Sequence, residues 1–213
     1  MIRLIGVLFA LMMLSPPGAW AAQPAFEELL RAAQSGNLAT VQDLVSRGMD
    51  PDTADPAGNT LLMMAAREGR SEVVRYLIGR KAKVGAQNGA GETPIMLASL
   101  KGRLEVVQLL QASGAGINHP GWTPLHYCAS EGHVEVCRFL IGHGATVDAP
   151  SPNGTSPLMM ATRYGHVEVV KLLLARSANT SMRNDSDGTA LSWALKAGNA
   201  VIADLLRRAG AKE

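Results

Sequence analysis

Aromatic side chains make up only 4% of the 213 residues, and cysteine occurs only at Cys128 and Cys137. So few aromatics fit a core of short helices rich in Ala, Leu, Gly and Met better than a sheet built from Val, Ile and Tyr. The two cysteines stand nine residues apart with His126 and His133 close by. That spacing is unlike the close Cys or His pairs of common zinc sites, and it points away from a metal centre. Charge of one sign is not concentrated anywhere either. Twenty Lys and Arg are scattered among eighteen Asp and Glu for a net charge of +2, so no nucleic-acid footprint follows. Beyond the first residues there is no second long apolar run.

The N-terminus, MIRLIGVLFALMMLSPPGAWAAQP, is laid out differently from the rest. Arg3 supplies a short positive region, Leu4 to Leu14 is apolar, and Ser15-Pro16-Pro17-Gly18 breaks the run before Ala19-Trp20-Ala21. This is the arrangement of a Sec-type signal peptide, residues 1–21, cleaved after Ala21 or a neighbour. At about 1.5 Å rise per residue the apolar run covers only about half of a bilayer core, which makes a retained anchor the weaker alternative. Export predicts a soluble mature protein, residues 22–213, without stable membrane insertion, in an oxidising compartment where two cysteines can pair.

The chain is also periodic. TLLMMAAREG, TPIMLASLKG, TPLHYCASEG, SPLMMATRYG and TALSWALKAG begin at Thr60, Thr93, Thr123, Ser156 and Thr189, spaced 33, 30, 33 and 33 residues apart. Such a period marks an array whose units bury their apolar faces only by stacking on each other. Each Thr or Ser can cap a helix, and Pro94, Pro124 and Pro157 follow where a missing N–H costs nothing. A glycine nine residues after each head stops that helix. A second helix follows in SEVVRYLIG, LEVVQLLQA, VEVCRFLIG, VEVVKLLLA and AVIADLLRR, with apolar residues at i, i+3, i+4 and i+7. The polar segments after it, rich in Gly, Pro, Asn and Asp, read as projecting turns, or fingers.

TPLHYCASEGHVEVCRFLIGHGATVDA resembles an ankyrin repeat, whose pattern runs T-P-L-H-x-A-A, G-H, E-V-V, L-L and G-A-D. The resemblance covers nearly all of residues 22–213 and implies an all-α solenoid of helix pairs with short β-hairpin fingers. Its units are an N-terminal cap at 25–56, where the T-P-L-H opening is lost, repeats at 57–89, 90–118, 119–152 and 153–185, and a C-terminal repeat at 186–213. The third head comes three residues early because only His119 and Pro120 stand between Asn118 and Gly121. The loss falls in a finger and predicts a gap or tilt in the finger row. Trp122 then sits near a shortened tip, either packing on the neighbouring finger or anchoring a partner.

The resemblance further implies that residues four after each head line a concave groove: Met64, Leu97, Tyr127, Met160 and Trp193. Glu68, Lys101, Glu131, Tyr164 and Ala197 follow one turn later. The ladder positions either pack between helices or contact a partner, with Tyr127, Tyr164 and Trp193 long enough to reach past the packing layer. Met63, Met96 and Met159 stand where the family has a buried histidine and are expected to fill the core. His126 and His133 match the family's two structural histidines. Cys128 and Cys137 fall on helix faces that pack on each other, so they form either a disulfide or two buried thiols.

No nucleophile, base and orienting group converge in this pattern, so no catalytic residues, cofactor or metal are expected. The resemblance implies a monomeric, non-enzymatic scaffold for protein–protein interaction, exported to a bacterial periplasm. The alternatives are a secreted effector that binds a host protein and an accessory protein in periplasmic oxidative-stress defence. Fold alone names no partner.

Overall fold

The computed structural model describes residues 19–212, and residues 1–18 of the expected signal peptide lie outside them. Twelve α-helices form among the described residues, in six consecutive pairs. They are α1 (Ala19–Ser35) with α2 (Leu38–Ser46), α3 (Leu61–Glu68) with α4 (Ser71–Gly79), and α5 (Pro94–Leu100) with α6 (Leu104–Ala112). The remaining pairs are α7 (Pro124–Glu131) with α8 (Val134–Gly142), α9 (Pro157–Arg163) with α10 (Val167–Leu174), and α11 (Ala190–Lys196) with α12 (Ala200–Arg208).

The helix starts follow from their heads. In α3, α9 and α11 the hydroxyl of Thr60, Ser156 or Thr189 accepts the backbone N–H three residues on, at 3.1–3.3 Å. The side chain at that third position reaches back to the N–H of the head in four repeats. The acceptors are the Met63 and Met96 sulfurs at 3.4 Å, His126 Nδ1 at 3.1 Å and Ser192 Oγ at 2.9 Å. Two of the methionines expected to fill the core thus also accept the head N–H through a thioether, and at Met63 the cap is reciprocal. Met63, Met96 and Met159 are all buried.

First helices pack on first helices and second helices on second, so the array is two layers deep. Its core is continuous: Leu62, Leu77, Ile95, Leu110, Leu125, Leu140, Leu158 and Leu173 are sealed from solvent, unit after unit. Stability therefore resides in interfaces between neighbours rather than in one central core. No described helix is long and apolar enough to cross a membrane.

Polar bonds repeat along the stack as well. The residue after each helix-ending glycine reaches back to the previous unit: Arg70 Nε to the Gln34 carbonyl, Arg103 Nε to Arg67, His133 Nε2 to Leu100 and His166 Nε2 to Ser130, at 2.8–3.3 Å. These bonds satisfy carbonyls near the ends of helices, which lack partners inside their own helix.

The fingers differ from the expected hairpins. Among the described residues no strand forms, and only Ala54 and Thr60 make an isolated antiparallel bridge. Each finger is instead a turn held by a side chain. Asp55 Oδ1 accepts from the N–H groups of Ala57 and Asn59, and Asn88 Oδ1 from Ala90 and Glu92. Side-chain acceptors replace the ladder that a true hairpin would need.

Candidate interaction surface

The first helices and the fingers meet at an angle along one side of the array, and the expected ladder residues divide there into two groups. Met64 and Leu97 are only 3% and 5% exposed, so they are packing residues and drop out of any contact surface. Both lie on α3 and α5, which pack directly on each other. Tyr127, Met160 and Trp193 are half-buried, and Tyr164 and Trp122 are exposed at 54% and 37%.

The short third finger accounts for the first opening. Asn88 Nδ2 donates to Asn59 Oδ1 and Gly89 N–H to the Ala57 carbonyl, tying the first two complete fingers at 2.9 Å. Asp185 N–H donates to the Asn153 carbonyl at 3.0 Å and ties the last two. Among the described residues, no hydrogen bond joins the tip at Pro120-Gly121-Trp122 to either neighbouring finger. The tip is close to the next finger without bonding to it: a Cβ at Gly121 would lie 3.2 Å from the Pro152 ring. A notch of about 210 Å³ opens there, lined by Leu100, Trp122, His126, Tyr127, Ser130 and Met160.

Its walls are fixed. Trp122 stands edge-on to His126 with ring centroids 5.3 Å apart, so it packs on its own repeat. His126 is buried: Nδ1 accepts the Thr123 N–H, which leaves the proton on Nε2 to donate to the Thr155 carbonyl at 3.0 Å. Burial pushes this imidazole down to about 4, so it is neutral near pH 7. The Tyr127 hydroxyl donates to Glu92 Oε1 at 3.1 Å, and burial together with the Glu92 charge raises its pKa.

A second, larger cleft of about 480 Å³ lies further along, between Asn153, Arg163, Asn184, Ser186, Trp193, Lys196 and Ala197. The Arg163 guanidinium sits 5.5 Å from the Trp193 ring centre and 5.8 Å from that of Tyr164. The periodic reading of the sequence passed over Arg163 and Lys196. Both lie seven residues after a head, a row that also holds Arg67, Leu100 and Ser130, and that row was the available signal.

Cys128 and Cys137 are joined by a disulfide, with Cα atoms 5.7 Å apart and both residues fully buried. The bond links α7 to α8 inside one unit. Among the described residues no cluster of three or more His, Cys, Asp or Glu gathers as a metal site.

A family model described as ankyrin repeats (3 copies) matches residues 29–120, 80–151, 113–184 and 146–212. No curated protein matches the chain.

Proposed function

The chain belongs to the ankyrin-repeat family, and from that premise we propose that it is a non-enzymatic scaffold that holds another protein against its first helices and fingers. Ankyrin repeats generally mediate protein–protein interaction. The observation that carries the finer reading is the notch opened by the short finger: an apolar recess walled by Trp122, Tyr127 and Met160, with Tyr164 exposed nearby. Aromatic and Met side chains give large contact area at low ordering cost, and recesses of this kind take a single anchor side chain. The face is the concave one, and the protein acts as a monomer in the periplasm. The N-terminal signal layout supports export, and so does a buried cysteine pair spaced for bonding.

Crosslinking in cells followed by mass spectrometry tests this reading. A W122A/Y164A double variant should lose roughly tenfold or more of the captured partner, since central aromatic contacts are typically worth about 1–2 kcal/mol or more. Its thermal transition should stay cooperative, because both side chains are solvent-exposed. Undiminished capture would show that partners bind elsewhere. Release of the protein by osmotic shock tests the compartment, whereas recovery from culture supernatant would favour the secreted-effector alternative.

A further inference from the structure

We propose that the cleft at the C-terminal end of this face binds an extended, carboxylate-rich segment of a partner polypeptide. This rests on the reading of the first-helix face as the partner surface, and it supplies the chemistry of that partner.

The seventh position after each head decides the character of each unit: Arg67, Leu100, Ser130, Arg163 and Lys196. Arg67 is neutralised by Glu68 at 3.1 Å. Leu100 and Ser130 line the apolar notch. Arg163 and Lys196 are exposed, and neither makes an ion pair among the described residues. Within this row, positive charge without a counter-charge is therefore confined to the last two units.

The rest of the lining adds donors. Asn153 Oδ1 is taken by the Ser151 hydroxyl at 2.6 Å and the Thr155 N–H at 3.3 Å. Asn184 Oδ1 accepts from the N–H groups of Ser186 and Gly188 at 3.2 and 2.8 Å. These bonds fix the orientation of both amides and leave each Nδ2 without a partner among the described residues. No carboxylate lines the cleft. A site offering a guanidinium, an ammonium and two spare amide donors is built for anionic oxygens. Arg163 is also held over Trp193 and Tyr164, so less of its freedom is lost on binding.

Spacing selects a polypeptide. Arg163 and Lys196 occupy equivalent positions on α9 and α11, which pack directly on each other, so their backbones lie about 8–10 Å apart. Charges set on neighbouring helices suit two carboxylates of one chain better than a single small anion, and competition with phosphate tests that choice. An extended segment of polyproline-II form rises about 3.1 Å per residue with three residues per turn, so carboxylates three residues apart share one face about 9 Å apart, in register with the pair.

Fluorescence anisotropy on the full mature chain, in about 20 mM salt, tests the proposal with a labelled peptide carrying glutamate at every third position. It should bind, weaken as salt is raised, and outcompete both inorganic phosphate and an oligothymidylate of equal charge. R163E/K196E and the charge-neutral R163Q/K196Q should each weaken binding about tenfold or more, while K101E, which removes a cation from the same face two units away, should change it less than about twofold. Thermal unfolding of each variant verifies the fold. The proposal is overturned if the glutamine version of the peptide binds equally well, if both double variants bind like the parent, or if the oligothymidylate or phosphate displaces the peptide. Failure here with intact dependence on Trp122 and Tyr164 in cells would remove the acidic partner and leave the scaffold reading standing.

Discussion

His126 shows how one position in a repeated pattern acquires its own chemistry. Met63 and Met96 perform the same capping task with sulfur, but the imidazole adds a second bond, to the Thr155 carbonyl of the next unit. It also adds a titratable group. Burial holds its folded pKa at about 4, below the ordinary histidine value of 6.5, so the unfolded chain binds more protons between those limits. Stability is therefore complete above about pH 6.5 and should fall by up to roughly 1.4 kcal/mol per pH unit as pH drops toward 4. Urea midpoints measured across this range should show the slope in the parent and a flatter profile in H126M, which carries its neighbours' solution. Carboxylates act at lower pH. Burial alone would raise the Asp55 pKa, but hydrogen bonds from Asn59 and Ala57 hold it below its ordinary value of 3.8, so its contribution is lost only beneath that window.

Helix pairs were legible from residues alone, because cap, apolar stripe and terminating glycine agree in five units and proline joins them in three. The hairpin strands expected in the fingers do not extend, since Asp55 and Asn88 take the donors at the tips and only short backbone bonds such as Asp55 N–H to the Asn59 carbonyl cross the base. The same local view hid why some glycines matter more than others. Gly132 ends α7 at φ +77°, and a Cβ there would lie 2.5 Å from His166 Nδ1, the ring that reaches back to Ser130. Gly114 has φ +88° but open space around it. Gly114→Ala should therefore cost only backbone strain, about 1–2 kcal/mol. Gly132→Ala should add the loss of the histidine bond, for a total of roughly 2–3 kcal/mol. Denaturant unfolding of the two variants side by side measures that difference. Met64 and Leu97 teach a related lesson. Periodicity assigned them a face, but how far a neighbouring helix covers that face depends on packing that no single repeat contains.

For the whole array, the three residues absent from the third finger have the widest effect, and their position was readable from the broken 33-residue period. What the period could not convey is that this tip makes no hydrogen bond to the fingers beside it among the described residues. Inserting three residues between Pro120 and Gly121 should restore contact along the finger row. Because lengthening a surface loop costs only a few tenths of a kcal/mol, the melting temperature should change little. Crosslinked partner should nonetheless fall severalfold, since the inserted residues would cover Trp122 and Tyr127. Unchanged capture would place the anchor elsewhere.

The missing finger bonds also govern how the array deforms. In a stack coupled only between neighbours, bending concentrates at the joint with the fewest ties. In the finger row that place is the third tip, while Asn118, His126 and His166 still tie its unit to the units beside it through loops and helices. A partner seated there would therefore set the spacing of the finger tips without parting the helix layers behind them.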